Sequence, residues 1–85
     1  MREYPRQADG IEINKVADGY VVYQPDRDRV HYLNHTAAIV LELCDGQIAA
    51  GSMPQILKEA YNLPEPPEAE VAECMKMFFE EELVK

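Results

Sequence analysis

Few side chains in this chain have chemical reach. Among 85 residues there are two cysteines, Cys44 and Cys74, and two histidines, His31 and His35. A nucleophilic thiol needs a base or a positive charge beside it. A structural zinc needs four ligands at close spacing. The cysteines are far apart with no CxxC, and each falls inside an apolar helical pattern, where a free thiol behaves as a small hydrophobe. A disulfide or a reactive thiol is the competing reading. Acidic residues number sixteen, yet no base–nucleophile pair can be nominated. Neither GxGxxG nor GxxxxGK[ST] occurs, so no phosphate cradle is present. The sequence therefore predicts no catalytic residues, no cofactor and no metal, and points to a binding module.

Charge narrows what could be bound. Eight basic residues against sixteen acidic ones give a net charge of -8. Nucleic-acid binding draws on a basic face that releases counterions, and between residues 34 and 63 the only basic residue is Lys58. A winged-helix nucleic-acid-binding or transcription-regulating domain is thus the alternative reading, and it lacks its recognition surface. The acidity is concentrated late: residues 64–85 hold seven glutamates against Lys76 and Lys85. That segment is either a solvated helix face or a surface for a basic partner. Residues 1–20 carry Arg2, Glu3, Arg6, Asp9 and Glu12 without an apolar stretch, so no signal peptide is read. No apolar run is long enough to span a bilayer, and a cytoplasmic location is expected.

The elements that would position a binding site come in two blocks. Residues 1–9 show no periodicity and are expected to be loosely ordered. Ile11-Glu12-Ile13-Asn14 alternates as a half-buried strand does. Asp18-Gly19 is a two-residue hairpin signal. Tyr20–Gln24 is rich in β-branched and aromatic residues, and after a Pro25–Asp28 turn Val30–Leu33 forms a third strand on an edge. Asn34 is placed to cap a helix whose apolar residues, Ala37, Ile39, Val40, Leu41, Leu43 and Cys44, run round both sides, so it should be central. Gly46 is expected to end it. Ser52-x-x-Gln55 has the spacing of a capping box for a second helix, with Met53, Ile56, Leu57, Ala60 and Tyr61 on one stripe and Asn62 and Pro64 as the stop. A third helix from about Glu68 carries Val71, Cys74, Met75, Phe78 and Glu82 on one face. Length and order define a single domain over residues 1–85, an α+β, winged-helix-like arrangement of a three-stranded antiparallel meander followed by three helices.

The string Leu33-Asn34, Thr36-Ala37, Ile39-Val40-Leu41-Glu42-Leu43-Cys44-Asp45-Gly46, with Gly19–Tyr23 before it and Val71, Cys74-Met75 and Phe78-Phe79 after it, resembles the PqqD family, also called the RiPP recognition element. The resemblance covers roughly residues 10–85. Ala49 stands where the family usually has a threonine, Pro54 falls inside its second helix, and Glu82 replaces a customary glycine. The resemblance implies a stand-alone peptide chaperone. It would bind the leader of a ribosomally made precursor as an added strand and present it to a maturation enzyme, such as a radical SAM protein, a leader peptidase or a cyclase.

The residues suit that mode. Val30–Leu33 has no proline to block pairing, and Arg29 flanks it as edge strands are often flanked. An added strand gains backbone hydrogen bonds while alternate side chains set specificity. The expected peptide-binding residues are Arg29, Val30, His31, Tyr32 and Leu33 on the strand and Met75, Lys76 and Phe79 on the last helix, with core packing the competing role for Met75 and Phe79 and a plain solvent-facing strand position the competing role for His31. Arg27 and Arg29 are placed to meet acidic leader residues. A second copy of the chain is another occupant of the bare edge, giving a homodimer. Glu80 and Glu81 are the candidate enzyme contact.

Overall fold

The computed structural model describes residues 4–85. Three strands, β1 (Glu12–Val16), β2 (Gly19–Gln24) and β3 (Arg29–Leu33), precede three helices, α1 (His35–Leu43), α2 (Met53–Tyr61) and α3 (Glu68–Glu80). The sheet is antiparallel in the order β1-β2-β3, so the α+β meander-then-helices arrangement is as expected. Val22 and Leu33 from the sheet meet Val40, Leu41, Leu57, Met75 and Phe78 from the helices in one core. α1 packs against α3, β2 and β3, the central position that its all-round apolar character requires.

The element ends show which local signals were used. Asn34 caps α1: its side-chain oxygen accepts from the Ala37 N–H at 2.8 Å. α1 then stops two residues short of the glycine expected to end it, because the Cys44 N–H turns back to the Leu41 carbonyl. Gly46 takes a positive φ of 83° in the following loop and donates its N–H to Pro5. The Ser52 box is not formed. Ser52 already has helical backbone within a 3-10 turn over Ala50–Ser52, so its side chain caps nothing, and Gln55 reaches forward to Glu59 instead. Asn62 does end α2, left-handed at φ 53°, with the Leu63 N–H returning to Lys58.

The hairpin turn is one residue earlier than its Asp-Gly signal. Val16 pairs with Gly19, so Ala17-Asp18 forms the loop and Gly19 is already in β2. Gly19 is required there for space: a Cβ on it would lie 2.4 Å from the Leu33 carbonyl oxygen.

Residues 4–9 run beside both the end of α1 and the last residues of the chain, whereas residues 1–3 lie outside the described range. Gln7 donates its backbone N–H to Cys44 and its side-chain amide to Leu41, Ala8 donates to Leu83, and Arg6 and Lys85 exchange a pair of backbone hydrogen bonds. Pro5 is fully buried. The segment has no periodicity because single residues, and not a face, are what it buries.

Candidate functional site

β3 pairs with β2 along one edge, through Leu33 opposite Tyr20, His31 opposite Val22 and Arg29 opposite Gln24. Its other edge pairs with no strand among the described residues. Directly opposed residues share a face, so Arg29, His31 and Leu33 lie on the core side with the buried Val22. Val30 and Tyr32 lie on the outward side. Leu33 is buried as part of the core, while Val30 and Tyr32 are exposed.

The core side of β3 is polar at its Arg29 end, and α3 closes over it there. Gln24 is the one buried polar side chain of the described core. Its amide donates to the Glu81 carbonyl at 3.0 Å, which turns its oxygen towards His31 Nε2 at 2.7 Å. The ring nitrogen must therefore carry the proton and donate. Arg29 Nη1 reaches Glu81 Oε1 at 2.7 Å, and His31 Nε2 lies 3.9 Å from the same oxygen. Arg27 pairs with Glu82. The cations expected to meet an acidic peptide are thus paired with the end of α3. Glu81, expected as a contact for an enzyme, is half-buried against Arg29.

That end is shaped by a Schellman turn. Glu82 is left-handed at φ 58°, the Leu83 N–H bonds the Phe78 carbonyl at 2.8 Å, and the Glu82 N–H bonds Phe79 at 3.2 Å. Leu83 and Phe78, the apolar pair that accompanies such a turn, are both fully buried. Glu82 has therefore left the helical stripe on which its spacing put it, and it occupies the left-handed position that glycine fills most easily.

Of the expected residues on α3, Met75 is core. It is buried, and its sulfur is 3.9 Å from that of Cys44. Phe79 is half-buried and packs on the core's flank, and Lys76 is exposed. The side-chain hydrogen bonds and ion pairs that join the β2–β3 end to α3 go to Glu81 and Glu82, and not to Lys76 or Phe79. Gln24 and the backbone of residues 81–82 escaped the sequence reading. One signal was available: Gln24 is two residues after Val22 and so on the same inward row, where an amide must find partners.

Neither thiol is set up for chemistry. Burial pushes the Cys44 thiol up to about 12, and its Sγ donates to the Val40 carbonyl. Burial, then Glu70 and Glu73, raises Cys74. Both are free cysteines. No cluster of metal-ligating residues occurs among the described residues, and no helix there is long and apolar enough to cross a membrane.

A small antiparallel sheet whose β3 edge is unpaired, beside the turn that follows α3, is an arrangement able to take up an added strand. The family described as Coenzyme PQQ synthesis protein D (PqqD) matches residues 19–84, and the chain belongs to that family. Members are accessory, peptide-binding proteins of biosynthesis. No curated protein and no solved structure matches the chain.

Proposed function

We propose that the chain binds the leader segment of a ribosomally made precursor peptide as a fourth strand on β3 and presents it to a modifying enzyme. The observation that carries this reading is the bare edge of β3 beside the end of α3, in a chain of a peptide-binding family. Backbone pairing supplies affinity without sequence demands. The outward Val30 and Tyr32 and the inward Arg29 and His31 meet alternate side chains of the peptide. Leu33 and Met75 shape the site from within the core. Lys76 and Phe79 are the residues of α3 that would meet the peptide in this reading.

Two kinds of peptide contact are available at the Arg29 end. A peptide carboxylate can replace Glu81 on Arg29, or a peptide cation can join Glu81. The exposed ion pairs cost little to exchange, about 0–1 kcal/mol each. The test is hydrogen exchange with a leader peptide encoded beside the chain's gene. Binding should slow exchange of amides within Val30–Leu33. A peptide that binds tightly and leaves those amides unchanged refutes strand addition.

A further inference from the structure

An antiparallel sheet covered by helices on one side normally turns polar residues to the other. Here the outward face carries Val16, Val21, Tyr23, Val30 and Tyr32, with Glu12 and Asn14 as its polar side chains on β1. Tyr32 is 80% exposed, Val30 55% and Val16 40%. Gly19, opposite Val16, adds no side chain to this face, and a Cβ there would meet the Leu33 carbonyl oxygen at 2.4 Å. An open dimple of about 390 Å³ lies at the hairpin end of the sheet, lined by Val16 and Tyr32 of the outward row and by Asp18, Gly19, Tyr20 and Leu33.

The rim is acidic. Glu12, Asp18, Asp26 and Asp28 are exposed and make no ion pair among the described residues. The two arginines at the β2–β3 turn are held by Glu81 and Glu82. Lys15 pairs opposite Tyr20 and so belongs to the other row.

We propose that this outward face docks an amphipathic helix of a partner protein, apolar along one stripe and basic along both flanks. A helix laid on a sheet is the packing that covers an apolar sheet face. One large apolar side chain of the helix would fill the dimple, and its basic flanks would meet the acidic rim. A second copy of this chain fits poorly, because each copy brings -8 and the same acidic rim. The face uses outward side chains and not the backbone edge of β3; it shares Val30 and Tyr32 with an added strand, and Val16, Val21 and Tyr23 belong to the face alone. The proposal does not depend on strand addition.

The test uses two short synthetic helical peptides with leucine on one face, one with lysine flanks and one with glutamate flanks. The lysine peptide should shift the amide signals of Val16, Gly19, Val21 and Tyr32, and bind more weakly as salt rises. Tyr32→Ser should weaken it about fivefold or more, as truncating a central aromatic anchor does. Reversing charge with Glu12→Lys and Asp18→Lys should weaken it separately, with every apolar side chain of the face unchanged. Equal binding of both peptides, shifts centred on Glu68, Glu70 and Glu73 of α3 or confined to β3, or unchanged affinity in Tyr32→Ser would each overturn the proposal.

Discussion

Glu82 offers a measurement in which the backbone, and not a contact, decides the sign. At φ 58° it occupies the left-handed region, which costs an L-residue about 1–2 kcal/mol and glycine almost nothing. Glu82→Ala and Glu82→Gly both remove the carboxylate that meets Arg27. The loss of that exposed pair, about 0.2–1 kcal/mol, therefore cancels between them. What remains is the strain relieved by glycine, less the extra freedom that glycine gives the unfolded chain, about 0.4–1 kcal/mol. The glycine variant should be more stable than the alanine variant by about 1 kcal/mol. In a domain of this size that is about 4–8 °C in Tm. Urea and thermal unfolding followed by circular dichroism would measure it, with equal m-values showing that the unfolded states are comparable. The control is Ala72→Gly, on an exposed site inside α3, where glycine should lose about 1 kcal/mol. If alanine matched or exceeded glycine at position 82, the Schellman turn would not be under backbone strain and the reasoning would fail.

Other outcomes are as direct. Asn34→Ala removes the oxygen that accepts the Ala37 N–H and should cost about 1 kcal/mol, while Asn34→Asp should keep most of the stability, since aspartate caps equally well; denaturant midpoints decide. Cys44 binds its proton more tightly folded than unfolded, its pKa rising from 9.0 to about 12. Its contribution to stability is therefore full below pH 9 and is lost as pH rises towards 12. Cys44→Ser should alter the alkaline limb of the stability curve and leave the change in stability between pH 6 and pH 8 the same, to within about 0.3 kcal/mol. In the native protein Cys44 should also resist a thiol reagent at neutral pH, and react once urea unfolds the chain. Rapid native labelling of Cys44 would contradict its burial.

Much of this fold was legible because its elements bury faces. The alternation in Ile11–Asn14 and Tyr20–Gln24 and the stripes through Leu57 and Phe78 are periodic, and the structure places them where the period says. Asn34 and Asn62 were legible too, since each acts within a few residues of itself. Signals that depended on neighbours failed. The Asp18-Gly19 turn moved one residue because β3 approaches Gly19 closely enough to need it inside the strand. Ser52 lost its capping role to a 3-10 turn that had already supplied helical backbone.

At the candidate site, the edge strand was visible in the sequence but the cluster of Gln24, Arg29, His31 and Glu81 was not. Those residues are brought together by packing across more than fifty positions of chain, and nothing in local spacing encodes that. Met75 shows the converse: a helical stripe places it on the right face without saying how deep that face lies.

The backbone bonds joining Arg6 to Lys85 and Ala8 to Leu83 have a kinetic consequence. They close a loop that contains nearly the whole domain, whereas the β1–β2 hairpin closes over two residues. Loop closure costs about 0.6 kcal/mol more for each doubling of length, so contacts of this range form after the local ones have narrowed the search. The meander and α1 can assemble first, and the two ends dock last. Read in reverse, the ends open first, exposing Pro5 and the Cys44 and Leu83 carbonyls while the sheet and its free edge stay intact. Order of assembly in this chain thus runs from the sheet towards the two ends, and the free edge of β3 is formed before the domain has finished closing.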